Sequence, residues 1–193
     1  HMEAHGYSKI TDWLQIRVEV PVEVPPRYAR VARLSSEMYG LKVRKITLQE
    51  AYNGEGRRVF ELMNQAYAPL FGYSSFTPNQ IDYFLKMYLP IADMDLIPLV
   101  ENEKGELVAA AVTANLTHYT VSMMSRALQK SKGRLFPVGW WHMFKALKIK
   151  HEDTVNMMLI AVRPDMQGLG VNALIFNDLI PIYNKKGYKY AET

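Results

Sequence analysis

One stretch of the chain constrains the fold more than any other. Residues 155–177 read VNMMLIAVRPDMQGLGVNALIFN. An apolar run ends at Val162, a proline follows at 164, two glycines flank Leu169, and apolar residues then recur at helical spacing. A chain of this kind leaves a buried strand, turns tightly and enters a helix that packs back on the sheet, so the fold is an α/β or α+β domain. The turn also has a chemical consequence. A helix N-terminus carries unpaired N–H groups and a partial positive charge, and glycine lets the main chain approach a ligand with no Cβ between, which makes the turn a candidate anion site. A plain strand-to-helix turn asks for the same glycines on geometry alone, so spacing has to decide.

The other periodicities supply the remaining elements. Residues 13–20, WLQIRVEV, alternate Leu14, Ile16, Val18 and Val20 with polar neighbours, the pattern of a half-buried strand, and PVEVPP breaks it. A basic helix is expected over 27–38, stopped by Gly40. Next come a strand over 42–47 and a helix over 55–67, with Val59, Leu62, Met63 and Ala66 on one face. Thr77-Pro78-Asn79-Gln80 announces a second helix with an N-cap, a proline at its first position and a capping-box glutamine, turning Ile81, Phe84, Leu85 and Tyr88 inward. Strands over 96–101 and 107–116 flank the polar turn NEKG, another covers 155–162, and GYKYAE is a last strand. From residue 42 the order is strand, helix, helix, strand, strand, strand, helix, strand. That is a mixed β-sheet flanked by helices, with a helical insertion over 117–152 between its third and fourth strands. Residues 1–41 read as a strand, linker and helix attached to a domain over 42–193.

Composition removes several classes of function. No apolar run approaches the roughly 20 residues of a membrane span, and no basic-then-apolar leader opens the chain, so a soluble cytoplasmic protein with no membrane partner is expected. The absence of cysteine excludes disulfides, thiolate nucleophiles and cysteine-bound zinc. A net charge of +4 without a dense basic stripe argues against a nucleic-acid partner. His5, His118, His142 and His151 lack metal-ligand spacing and no G-x-S-x-G occurs, which argues against a zinc or serine hydrolase; no metal is expected.

Two nucleotide motifs compete for the glycine turn. Gly168, Gly170 and Ala173, with Glu192 further on, formally match a dinucleotide fingerprint. Arg163 to Gln167 separate the strand from the first glycine, however, and only about 20 residues remain after it, too few for half of a dinucleotide-binding sheet. The second pattern, V-x-P-x-x-Q-x-x-G-x-N, is formed by Val162, Pro164, Gln167, Gly170 and Asn172. It resembles the pyrophosphate loop of the GNAT superfamily of acyl-CoA N-acyltransferases, whose last position is a small residue. The resemblance covers about residues 42–193 and includes the element order. It is greatest to little-characterised bacterial N-acetyltransferase-like proteins, in which a similar V-N-A-L-I-F segment comes after the loop.

The resemblance implies a reaction and a site. The reaction is transfer of an acetyl or other acyl group from acetyl-CoA or another acyl-CoA to the primary amine of a small molecule or peptide, by direct attack on the thioester. The main chain of Ile160, Ala161 and Val162 is expected to pair with the pantetheine arm like an added strand. Gln167 belongs to the loop, and the N–H groups of Gly168, Leu169, Gly170, Val171, Asn172 and Ala173 are expected to receive the pyrophosphate. Asn172 departs from the pattern, but because the donors are main-chain it is expected to modify CoA binding without abolishing it.

Acyl transfer needs a neutral amine. At pH 7 a lysine-like amine with a pKa of about 10.4 is neutral roughly once in 2,500 molecules, a penalty of about 4–5 kcal/mol, so a base is required. In the family a carboxylate near the start of the fourth strand serves, which points to Glu152 and Asp153; both fit a solvated charged turn equally well. The family's thiolate-protonating tyrosine would lie past Thr193, where the domain is expected to be truncated. The alternative function is a GNAT-fold module that has lost catalysis and serves as a binding or structural half of a tandem protein. Residues 3–20 resemble the end of a preceding GNAT-like repeat, and are expected to pack along the sheet edge with Leu14, Ile16 and Val18 covered. His118 and Tyr119 are candidates to face the acceptor site, with a polar pair at a strand exit as the competing role; the stripe of Trp140, Phe144 and Leu147 could cover the acceptor pocket, dock a partner or rest on a membrane surface, against packing onto the sheet; and the aromatic loop over 69–78 either shapes the acceptor site or plugs the core.

Overall fold

The computed structural model describes residues 3–12, 14–114 and 153–193. The whole insertion expected over 117–152 therefore lies outside the described residues, including His118, Tyr119, Trp140, Phe144, Leu147 and the candidate base Glu152. The described strands form one mixed sheet. They are β1 (Arg17–Glu19), β2 (Lys42–Lys45), β3 (Pro98–Glu101), β4 (Leu107–Ala114), β5 (Thr154–Val162) and β6 (Tyr190–Glu192). In space the order is β1-β6-β5-β4-β3-β2. Every neighbouring pair is antiparallel except β5 and β6, which run parallel.

The helices begin and end where local chemistry directs. Helix α1 (Pro26–Tyr39) has proline in its first turn and stops at Gly40, whose φ of 61° is left-handed. Helix α2 (Gly56–Tyr67) is entered through a turn at Leu48–Glu50, capped by Thr47, and a π-helical stretch at Ala51–Glu55. Helix α3 (Pro78–Tyr88) has the expected capping box: the Thr77 side chain accepts from the Gln80 N–H, and the Gln80 side chain accepts from the Thr77 N–H. Helix α4 (Val171–Lys185) starts at the end of the glycine turn.

Apolar periodicity then sorts the helices onto the two faces of the sheet. Ala109 and Ala111 of β4 point into a core with Ala32 of α1 and Val171, Ile175, Leu179 and Tyr183 of α4. Ala110, between them, points to the opposite core with Val59, Leu62 and Ala66 of α2. All three alanines are fully buried, and burial of a side chain such as Leu179 contributes about 1.5–3 kcal/mol.

The N-terminal segment behaves differently from its sequence pattern. The expected eight-residue strand is reduced to β1, which pairs with β6 through Arg17↔Glu192, Val18↔Ala191 and Glu19↔Tyr190. It does extend the sheet past β6. Its apolar side chains are not covered as expected, because Leu14, Ile16 and Val18 are 81%, 54% and 45% exposed. An edge strand is held on one side only, and here the holding groups are main-chain bonds, the Arg17–Glu192 ion pair and Arg17 stacked 4.0 Å over the Tyr190 ring. Val20, Val31 and Tyr39 pack against the same core as α4, so the segment before residue 42 shares an interior with the sheet and helix of residues 42–193.

Candidate active site

The site lies along the second half of β5 and the turn that follows it. Pairing with β6 covers Thr154↔Tyr190, Val155↔Ala191 and Asn156↔Glu192, whereas β5 continues to Val162. Beyond Asn156 its paired strand among the described residues is β4. Antiparallel pairing directs alternate residues toward the partner strand. Ala161 and Arg163 belong to the β4 side, with the Arg163 N–H donating to the Val108 carbonyl at 2.8 Å, while Ile160 and Val162 present their main-chain groups to the other edge.

Two side chains occupy those groups. The Tyr67 hydroxyl, from the last residue of α2, donates to the Ile160 carbonyl at 2.9 Å and accepts from the Ile160 N–H at 3.3 Å. The Gln167 side-chain amide donates to the Val162 carbonyl at 3.0 Å. Among the described residues these edge groups are thus bonded by side chains. Burial pushes the Tyr67 phenol above its ordinary pKa, against the smaller opposing effect of the bond from Ile160.

One residue nearer the start of β5, the ladder is irregular. Val112 lies opposite Leu159 and Thr113 opposite Met157, so Met158 has no residue facing it and bulges from the strand. The bulge reverses the alternation. Val155 and Met157 before it, and Ile160 and Val162 after it, contact one and the same core. Met158 itself is exposed, and the amide nitrogen of Asn156, two residues earlier, is buried with no hydrogen-bond partner among the described residues.

At its far end β5 runs into the glycine turn. A single 3-10 turn at Pro164–Met166 leads to Gly168 and Gly170, whose φ values of 78° and 79° are left-handed, and α4 starts at Val171. No side chain caps α4 and no acidic residue occupies its first turn. Among the described residues, the N–H groups of Gly168, Leu169 and Gly170 donate to no protein acceptor, while that of Ala173 is taken by the Gly170 carbonyl at 3.0 Å. The result is a cluster of unsatisfied donors at a positive helix end, with the chemistry to hold phosphate.

Helix α1 holds this turn from behind. The Ser35 hydroxyl donates to the Leu169 carbonyl at 2.8 Å. A Cβ on Gly170 would stand 2.5 Å from Val31 Cγ1 and 2.9 Å from Ser35 Oγ, so glycine is required there for close approach as well as for backbone conformation. Asn172 lies beside an open groove of about 300 Å³ shared with Ala173, Arg27, Tyr28 and Val31. Val171 packs into the core.

The candidate base stands apart from this edge. Asp153 precedes β5, and its main-chain carbonyl accepts from the N–H groups of Lys189 and Tyr190 at 2.6 and 2.9 Å. Its exposed carboxylate accepts from the Thr154 hydroxyl at 3.1 Å. At about 3.3 Å per residue, it begins roughly 16 Å along the strand from Met158. The aromatic loop over 69–78 divides its roles. Phe76 packs against Phe60 and Phe84 as a core plug. Tyr73 donates to Asn64 Oδ1 at 2.7 Å and meets the Tyr67 ring edge-on, whereas Phe71 is exposed.

Sequence reasoning found the turn but missed Tyr67, the Met158 bulge, Asn156 and Ser35. Tyr67 had a signal, as a tyrosine ending a helix whose core face is set by Val59, Leu62, Met63 and Ala66. Nothing local marks the other three.

No family model matches the chain. A bacterial ceramide synthase from Caulobacter vibrioides (strain NA1000 / CB15N) is 24% identical over 166 residues, covering 86% of this chain and 41% of that protein. The structure of a GCN5-related N-acetyltransferase from Sphaerobacter thermophilus matches 99% of this chain and 44% of its own, with a TM-score of 0.58 and 16% identity. A GCN5-related glucosamine N-acetyltransferase region of a fungal multi-domain GH3 β-N-acetylglucosaminidase matches 93% of this chain and 17% of that chain, at a TM-score of 0.51 and 10% identity. The chain thus spans less than half the length of each relative. Among the described residues no helix is long and apolar enough to cross a membrane. With its mixed sheet flanked by helices and these likenesses together, the chain has the GNAT fold.

Proposed function

We propose that the chain is an acyl-CoA-dependent N-acyltransferase domain that transfers an acyl group from CoA to a primary amine by direct attack on the thioester. The observation that carries this reading is the glycine turn: β5 leads directly to the uncapped start of α4, where the N–H groups of Gly168, Leu169 and Gly170 have no protein acceptor among the described residues. An acyl-CoA is an extended amide-bearing arm joined to a pyrophosphate, so one ligand uses both strand and turn. Its arm takes the main-chain groups of Ile160 and Val162, and its pyrophosphate takes the N–H groups of Gly168, Leu169 and Gly170.

The acyl end then falls beside the Met158 bulge. A main-chain N–H released from the ladder there is suited to the oxygen that gains negative charge as the amine attacks, the largest single contribution such a site makes. Asp153 and Glu152 are the candidate acceptors of the incoming ammonium's proton; Asp153, roughly 16 Å along the strand from Met158, receives it by way of solvent and not by direct contact. Metal chemistry is not required by this scheme.

The relatives suggest which acceptors to try first. A ceramide is the amide of a long-chain amino alcohol, so sphinganine is one candidate acceptor, with palmitoyl-CoA as donor; glucosamine with acetyl-CoA is the other. The protein contains no cysteine, so a thiol reagent reads released CoA with no background. Amine-dependent thiol release is expected. A flat response alongside measurable CoA binding would replace the enzyme reading with that of a noncatalytic GNAT-fold module.

A further inference from the structure

Resting on that reading, we infer that the groove between α1 and α4 is a pocket for the adenosine 3′-phosphate end of the acyl-CoA, and that α1 thereby selects the acyl donor. The groove holds about 300 Å³ and is lined by Arg27, Tyr28, Val31, Asn172 and Ala173. That is about the lower limit for a small-molecule pocket, enough for one end of a ligand and not for the whole. It adjoins the glycine turn: Val31 lines the groove, and its Cγ1 lies 2.5 Å from where a Cβ on Gly170 would be. In CoA the pyrophosphate is esterified to the ribose that carries both the adenine and the 3′-phosphate. A pyrophosphate on the N–H groups of Gly168, Leu169 and Gly170 therefore brings a purine and a second anion to this groove.

Each lining group suits one part of that end. Tyr28 is 45% exposed and its ring meets Phe176 edge-on at 6.4 Å, which fixes an aromatic surface open to a stacking base. Asn172 has no side-chain hydrogen bond to a described residue, and its amide carries the donor and acceptor that match N7 and the N6 amino group of adenine. Arg27 likewise has no ion pair or hydrogen bond with a described residue. It occupies the first turn of α1, where the positive helix end disfavours a cation and no acidic residue offsets it. A 3′-phosphate supplies the missing negative charge. Arg27 and Tyr28 precede residue 42, outside the part of the chain that resembles an acyltransferase. The helix before the domain thus distinguishes a CoA thioester from an acyl group on protein-bound phosphopantetheine, which has neither base nor 3′-phosphate.

The test compares CoA, 3′-dephospho-CoA and 4′-phosphopantetheine by calorimetry on the intact protein. The wild type is expected to bind them in that order of falling affinity. Arg27→Ala weakens CoA by about tenfold, the lower end for a charge-assisted pair because the groove is open to water, and leaves 3′-dephospho-CoA within about twofold. Tyr28→Leu weakens both nucleotides by about 5–150-fold, the effect of losing one base–aromatic stack, and leaves 4′-phosphopantetheine within about twofold, so a folding defect is told apart from a lost pocket. Wild-type affinities for CoA and 4′-phosphopantetheine within about twofold of each other, equal changes for CoA and 3′-dephospho-CoA in Arg27→Ala, or full nucleotide affinity in Tyr28→Leu overturn the pocket while leaving the transferase reading intact. A wild type that binds none of the three withdraws both.

Discussion

The hydroxyl of Ser35 donates to the carbonyl of Leu169 across 134 residues of chain, at 2.8 Å. A helix outside the part of the sequence that resembles an acyltransferase therefore fixes the turn proposed to bind phosphate. Ser35 is 3% exposed, so Ser35→Ala leaves a carbonyl unpaired in a place water does not readily reach. A loss of about 1–3 kcal/mol is expected from urea unfolding. A change within a few tenths of a kcal/mol would show that α1 does not support the turn.

Gly168 and Gly170 share a left-handed backbone but differ in surroundings. Alanine at 168 meets nothing within 4 Å, whereas alanine at 170 meets Val31 and Ser35. Gly168→Ala is expected to cost about 1 kcal/mol, for backbone conformation alone. Gly170→Ala adds an overlap of the kind that costs about 1–3 kcal/mol. Equal losses in chemical unfolding would contradict the packing described for α1 on the turn.

Asn172 tests whether the anion site is made of main chain. Its side chain borders the groove with Arg27 and Tyr28, and Asn172→Ala leaves every backbone donor in place. CoA affinity is expected to change by less than about tenfold, under 1.4 kcal/mol. Complete loss of binding would transfer the role from backbone to side chain.

Tyr183 gives the fold a signature in alkali. Burial pushes its phenol up to about 12, while in the unfolded chain it titrates near 10. The group is neutral when protonated, so between those values the unfolded chain loses a proton that the folded one keeps. Its contribution is full below pH 10 and disappears as pH rises toward 12, amounting to about 2–3 kcal/mol. Unfolding at pH 8 and pH 11.5 is expected to show this extra loss in the wild type and not in Tyr183→Phe. Parallel pH profiles for the two proteins would contradict it.

These contacts also indicate what the sequence could and could not reveal. The Thr77–Gln80 capping box and the Gly40 stop were legible because their partners lie within a few residues. The strand, glycine turn and helix over 155–177 were legible because apolar period and glycine placement are local properties. The Met158 bulge was not, since one apolar residue among many leaves no trace of a skipped partner on β4. Ser35 to Leu169 and Tyr67 to Ile160 are set by how helices dock on opposite faces of the sheet, at separations of 134 and 93 residues. For β1 the alternation was read correctly as strand-forming, but burial depends on what lies beside the edge, and there Leu14, Ile16 and Val18 remain open to solvent.

The central claim is that one acyl-CoA spans the second half of β5 and the start of α4. Calorimetric titration of CoA into the intact protein tests it most directly, with amide exchange at Ile160 and Gly168 followed in the same samples. The account predicts saturable one-to-one binding and slowed exchange at both positions. No heat at millimolar CoA, or binding that leaves both amides unprotected, would contradict it.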